Sequence, residues 1–194
     1  MRIISAFIIS VLLMSACTMP ETRIYSLYVS SASEKGNPAV FPDKSIAVLV
    51  NSPRYLSQSF IAYRSSPYEL EISKYSKWEA SPQDMFRTLA RNYLSSTGMF
   101  KEVRASSVVP EGFYTLEVDL KRFDRDDRTA GSYGELTFDY ELYSPDGIAL
   151  YRGSVSKEVR LENRTFINLA KGLSALSEEA VKEMAENLKQ NIAK

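Results

Sequence analysis

Catalysis needs side chains that move protons, attack electrophiles or hold metals, and this sequence offers few of them. Its 194 residues include no histidine and one cysteine, Cys17. No Ser-His-Asp triad, no Cys-His pair and no His-ligated zinc or haem can be assembled from it. A single cysteine also excludes an intrachain disulfide and a four-cysteine metal site. What remains is charge, densest in Arg122-Phe123-Asp124-Arg125-Asp126-Asp127-Arg128. Counted as a calcium loop, this stretch puts Asp124 and Asp126 at positions 1 and 3 and Glu135 at position 12. Position 5 is then Arg128 and position 6 Thr129, where a ligand and a glycine are needed. The spacing therefore predicts a solvated hairpin loop and no metal. Asp126-Asp127 and Glu178-Glu179 have the residue type for acid-base work, but adjacent carboxylates on exposed segments usually face water. Gly131-Ser132-Tyr133-Gly134 lacks the lysine and the strand-to-helix setting of a phosphate loop. Asn163-Arg164-Thr165 matches a glycosylation sequon, and reads more simply as the cap of a helix. No catalytic residue and no cofactor is assigned.

Cys17 is placed differently. Met1 to Ala16 (MRIISAFIISVLLMSA) has one basic residue, Arg2, then an uncharged apolar stretch ending in small residues. This is a signal-peptide pattern, too short for a transmembrane helix. Leu13-Met14-Ser15-Ala16-Cys17 resembles the bacterial lipobox. The resemblance implies that residues 1–16 are removed and that Cys17 is acylated as the mature N-terminus. Thr18, rather than Asp, follows Cys17, which by the Gram-negative sorting rule implies the periplasmic face of the outer membrane. Residues 17–23 form a short tether and residues 24–194 the domain.

The whole chain has 24 basic and 24 acidic residues, 44% apolar and 25% charged. These are proportions of a folded domain with no footprint for nucleic acid. Its elements follow from periodicity. Ile24–Val29 is a short β-type run, and Ser45–Val50 (SIAVLV) is a continuous apolar run typical of a strand covered on both faces. Between them, Ser30 to Pro42 reads as loop. Ser59–Tyr63 and Tyr68–Ile72 read as two short strands. Ser81, Pro82 and Asp84 start a helix carrying Phe86, Leu89, Ala90, Tyr93 and Leu94, which Gly98 closes. Tyr114, Leu116, Val118 and Leu120 alternate with polar residues, as do Leu136, Phe138, Tyr140 and Leu142. Ser144-Pro145-Asp146-Gly147 turns the chain into a third strand, Ile148–Arg160. A last helix, from about Arg164 to Ile192, carries Phe166, Leu169, Leu173, Leu176, Ala180, Met184 and Leu188, with Gly172 at a candidate bend. The expected fold is α+β, a single domain with a mixed β-sheet and two helices on one face.

Tyr55, Phe60, Tyr63, Tyr68, Tyr75 and Trp78 crowd one stretch beside Arg54 and Arg64. Such a segment serves as a partner-binding edge or a headgroup contact, because aromatics concentrate at interfaces. It serves equally as sheet packing.

Several stretches together resemble the ABC-type transport auxiliary lipoproteins, which include the PqiC-like lipoproteins. They are the lipobox with Tyr25-Ser26-Leu27 after it, Arg54-Tyr55-Leu56, and Ile61-Ala62-Tyr63-Arg64 with Ser66-Pro67-Tyr68-Glu69-Leu70. Trp78 before the first helix, Tyr114 to Leu120, and Arg122-Phe123-Asp124 complete the set. Ser57-Gln58-Ser59 departs from the family, whose members often carry Asp-Arg-Pro there. The resemblance implies a non-enzymatic outer-membrane subunit, held by its lipid anchor. Its implied partners are an MCE-domain protein that spans the periplasm and an inner-membrane ABC or Pqi-type permease, in a system moving phospholipid or similar molecules. Docking to a ring-shaped MCE assembly would suit a homo-oligomer. The candidate contact residues are Arg54, Tyr55, Tyr63, Arg64, Tyr68, Trp78, Arg122 and Phe123. The alternatives are a structural assembly lipoprotein of another envelope machine, such as lipopolysaccharide export or secretion, and a periplasmic hydrolase working without histidine.

Overall fold

The computed structural model describes residues 21–29 and 41–192. The signal segment, Cys17, the first tether residues and most of the expected loop before Pro42 lie outside the described residues. The sheet is built on one long antiparallel meander. Strand β6 (Tyr114–Arg128) pairs with β7 (Gly131–Tyr143) from Thr115↔Tyr143 to Arg128↔Gly131, and β7 pairs with β8 (Ala149–Arg160). Leu136, Phe138, Tyr140 and Leu142 of β7 are buried, whereas Thr137, Asp139, Glu141 and Tyr143 between them are half-exposed. Alternation therefore puts one face in the core and one toward water, as in a sheet covered on a single side.

The other edge of β6 is shared by two strands. Its first half takes β2 (Phe41–Asn51) in parallel, from Ile46↔Tyr114 to Asn51↔Asp119. Its second half takes β3 (Phe60–Ser66), also in parallel, at Tyr63↔Arg125 and Arg64↔Asp126. Strand β3 pairs antiparallel with β4 (Glu69–Trp78), and β4 takes the short β1 (Arg23–Tyr25) in parallel. After helix α1 (Pro82–Ser96), β5 (Phe100–Ala105) returns beside β2, so β2 lies between parallel neighbours, with Ile46, Ala47 and Val48 fully buried. Helix α1 starts as its cap residues require. The Ser81 hydroxyl accepts the Asp84 backbone N–H at 3.1 Å, with Pro82 in the first turn.

Both helices cover the same face. Phe86 of α1 meets Phe138 at 4.8 Å between ring centroids, and Asn187 of α2 (Phe166–Ile192) donates to the Tyr140 hydroxyl at 3.0 Å. The fold is thus the expected α+β arrangement, with a mixed sheet of eight strands and two helices.

Two expectations change. Strand β5 was not anticipated from the sequence, because only Phe100 of its residues is buried. The stretch Arg122–Arg128, expected as a solvated hairpin loop, is the second half of β6. The turn comes later, at Thr129-Ala130, with Gly131 at φ 143°. One extra residue at Lys121 shifts the register, Leu120 facing Phe138 and Arg122 facing Thr137. Past this β-bulge the inward positions become Phe123, Arg125 and Asp127, and the outward ones Arg122, Asp124, Asp126 and Arg128.

Candidate functional site

The outward face of β6 collects the charge. Asp124 is fully buried there. Its Oδ1 accepts Arg122 Nη2 at 2.7 Å and Nε at 3.2 Å, and its Oδ2 accepts Arg64 Nε at 3.3 Å. The Tyr55 hydroxyl closes the site, 3.4 Å from Asp124 Oδ2 and 3.1 Å from the Lys121 carbonyl oxygen. Burial, then the Asp124 charge, push the Tyr55 hydroxyl above its ordinary value, so it stays a donor at neutral pH. Arg122 also pairs with Glu135 of β7, and Arg128 pairs with Glu135, with Asp126 at 3.2 Å and with Glu158 of β8 at 3.0 Å. Burial works against the Arg122 charge, but its hydrogen bond to Asp124 and the charges of Asp124, Glu135 and Asp126 hold it above its usual range. Burial pushes the Glu135 carboxyl up, against the attraction of Arg122 and Arg128 and with Asp126 adding to the rise.

The inward face is locked differently. The buried Arg125 guanidinium makes two bonds to Asp127, at 3.0 and 2.9 Å, and one to the Arg164 carbonyl at 2.5 Å. It lies 4.9 Å from the Tyr63 ring centroid and 5.0 Å from that of Phe166. This arginine therefore ties the start of α2 to β3 and β6, with bidentate geometry that only a guanidinium supplies.

The structure divides the eight candidate contact residues into four groups. Tyr55, Arg64 and Arg122 converge on Asp124. Tyr63 turns inward, its ring against Arg125 and its hydroxyl donating to Glu71 at 2.7 Å. Arg54 and Tyr68 are exposed, Tyr68 at 98% on the β3–β4 turn. Trp78 and Phe123 are corrections as surface contacts. They are 2% and 1% exposed and pack edge to face at 5.6 Å, so in the folded domain neither ring reaches a partner. Both point to the helix-covered side, and the large apolar area they bury explains their place.

Sequence reasoning did not single out Asp124 or Glu135 as a hub. The signal was present: Arg122, Asp124, Asp126 and Arg128 recur at the two-residue period of one strand face. The three carboxylates counted for calcium each face a guanidinium instead. With its acids paired to arginines, the cluster is an ion network that links β6, β7 and β8.

Two clefts sit at opposite ends of the sheet. One, of about 380 Å³, is lined by Arg23, Tyr25, Tyr75, Arg164 and Phe166, where the described chain begins. The other, of about 450 Å³, lies between the β5–β6 loop and the β7–β8 turn, lined by Val109, Glu111, Phe113, Glu117, Tyr143 and Pro145.

Residues 25–185 match the model of a family described as the ABC-type transport auxiliary lipoprotein component. A search of curated proteins finds no match. Among solved structures, the chain is similar to a protein of Xanthomonas campestris, with TM-score 0.72 and 17% identity over 87% of this chain and 95% of that one. It is likewise similar to a protein described as uncharacterized, with TM-score 0.69 and 16% identity over 87% of this chain and 99% of that one. At such identities the structures share the fold alone.

Proposed function

The chain belongs to the ABC-type transport auxiliary lipoprotein family, and from that premise we propose that it is the outer-membrane subunit of an intermembrane lipid transport system. In this reading Cys17 carries the lipid anchor on the periplasmic face of the outer membrane, and residues 24–194 form the working domain. The domain docks a periplasm-spanning MCE-domain protein whose system includes an inner-membrane ABC or Pqi-type permease. It supports transport and envelope integrity without catalysing a reaction. The observation that carries the reading is the family match from residue 25 to residue 185, which begins eight residues after the one cysteine. The arginine-held carboxylates of β6 and β7 support a non-catalytic role, since a general acid or base needs a group free to exchange its proton.

A pull-down of the full-length protein tests this. The protein is tagged at its C-terminus and recovered from membranes in mild detergent, with Cys17→Ser as the mislocalised control. Co-purification of an MCE-domain protein or its ABC partners, reduced by Cys17→Ser, is the expected result. Recovery of a lipopolysaccharide-export or secretion machine without any MCE protein overturns it in favour of an assembly role.

A further inference from the structure

The chain enters the described domain at one end of the sheet. Glu21, Arg23 and Tyr25 lie beside Arg164 and Phe166, and Phe166 packs on Arg125. Cys17 precedes Glu21 by four residues, so the two are at most about 14 Å apart. Tyr114 begins the same strand that carries Arg125, about 35 Å away at strand spacing. Whatever holds Cys17 therefore holds the Arg125 end, and the Tyr114 end stands away from it.

At that far end the surface is apolar. Val108 is 77% exposed and Ile148 62%, and Val109 and Leu150 are exposed beside them. Val109 lines the cleft of about 450 Å³ together with Pro110, Phe113, Tyr143 and Pro145, and Val108 and Ile148 directly adjoin its lining residues Val109 and Gly147 in the chain. Single exposed aliphatics need no explanation, but a group of them around a cleft marks an interaction site. These loops are also fixed in shape. The Ser106 hydroxyl donates to the Val108 carbonyl at 2.5 Å and accepts the Val108 N–H at 3.1 Å, and Phe113 N–H donates to the Pro110 carbonyl at 3.2 Å. The neighbouring turn is closed twice, Gly147 N–H to Ser144 and Ser144 N–H to Ile148, each at 2.9 Å. Aliphatics held outward by closed turns present a surface that loses little entropy on binding.

Charge selects the occupant. Glu111 and Glu117 line the cleft and Asp146 tops the adjoining turn, while no lysine or arginine lines it. Arg104 lies near, stacked 5.2 Å from the Phe113 ring centroid and paired with Glu102. An anionic lipid surface is repelled by this rim and lies at the other end of the domain. A second copy using the same patch would bring Glu111 and Asp146 against their own kind.

We propose that the Val108–Phe113 loop and the Ser144–Leu150 turn form a docking surface for an apolar segment of another protein that carries lysine or arginine. This rests on the anchored-subunit reading above and places its partner contact at the end away from Cys17, separate from Tyr68 and the Asp124 cluster. The test is site-specific photo-cross-linking in the full-length lipoprotein in its own cells. A benzophenone amino acid replaces Val108, Ile148 or Tyr68, and the cross-linked peptides are sequenced. The expected result is an adduct from Val108 and Ile148 to a lysine- or arginine-bearing apolar peptide of another envelope protein. Its yield should fall about tenfold in the Glu111→Lys/Asp146→Lys variant, whose thermal melting is checked in parallel. Adducts only to a second copy, or only from Tyr68, or to acidic peptides, overturn the proposal. An MCE protein that co-purifies yet cross-links only at Tyr68 overturns this surface and leaves the docking role standing. A basic partner cross-linked at Val108 from a different machine upholds the surface and overturns the role.

Discussion

At Asp124 the fold commits a carboxylate to a site without water, which costs several kcal/mol unless the charge is matched. Arg64, Arg122 and Tyr55 match it, and they shield it from solvent. Removing it leaves two arginines without their partner, though each is about a quarter exposed and so partly rehydrated. Asp124→Ala should therefore cost roughly 2–4 kcal/mol of folding stability, less than a fully buried pair would, as read by chemical denaturation. Trp78→Ala should cost about 3–5 kcal/mol because it opens a core cavity, whereas Tyr68→Ser should stay within about 0.5 kcal/mol. The two aromatics look alike in sequence and differ wholly in exposure. Any loss of partner binding in a Trp78 variant is thus a stability effect until shown otherwise. Glu135 gives a pH signature. Its carboxyl is raised above 4.5 by burial, so between 4.5 and its folded value the native state holds more protons than the unfolded one. By linkage, stability contributed by this group falls as pH rises through that window. Thermal melts from pH 4.5 toward neutrality should show a negative contribution to the slope in the wild type that Glu135→Gln removes. An identical slope in both proteins would mean that Glu135 titrates normally.

The elements were legible where burial was regular. The continuous apolar run Ser45–Val50 marks a central strand: it lies between β5 and β6 with α1 on one face, and Ile46, Ala47 and Val48 are fully buried. The alternation of Leu136 to Leu142 and the Ser81-Pro82-Asp84 cap each fixed an element's type and its start. Legibility failed where burial was irregular. Strand β5 lies at the sheet edge with one buried residue, so it shows no period. The second half of β6 was hidden by a one-residue bulge, which moves apolar and charged residues to faces that simple alternation assigns wrongly. The Asp124 hub went unread although its residues alternate, because the bulge hid that they continue the strand, and the outward Val108 and Ile148 because exposure of a loop leaves no pattern. Glycines test the packing between elements. A Cβ at Gly153 would sit 2.4 Å from the Tyr140 ring, which is itself buried and held by Asn187. That ring cannot retreat, so Gly153→Ala should cost about 1–3 kcal/mol. In α2, which runs unbroken through Gly172, a Cβ there would lie 2.9 Å from the tips of Leu161 and Val159. Those side chains can rotate, and alanine gains about 1 kcal/mol of helix propensity. Gly172→Ala should therefore change stability by less than about 1 kcal/mol. Equal losses at both glycines would show that α2 cannot yield by the few tenths of an ångström this requires.

As a whole the domain is one sheet under two helices, with the long strands β6 and β7 linking the end where the described chain enters to the end that carries the apolar cleft. If Cys17 is anchored, the span of at most about 14 Å from Cys17 to Glu21 sets the height of the domain above the membrane and the strand length sets how far the cleft reaches. Position would then matter as much as affinity, because a partner held in the same envelope meets the cleft at an effective concentration fixed by that geometry. This is separable from folding. Twenty Gly/Ser residues inserted between Thr18 and Met19 add a coil of about 25 Å root-mean-square length outside every strand and helix described. Thermal melting of the domain should be unchanged, and lipid labelling at Cys17 should persist. Cross-linking from Val108 to its partner, and tolerance of the cells to membrane-perturbing compounds, should both decline. A stable, lipidated, fully functional insertion variant would show that the partner follows the domain instead of meeting it at a fixed height, and the short tether would then have no role in docking.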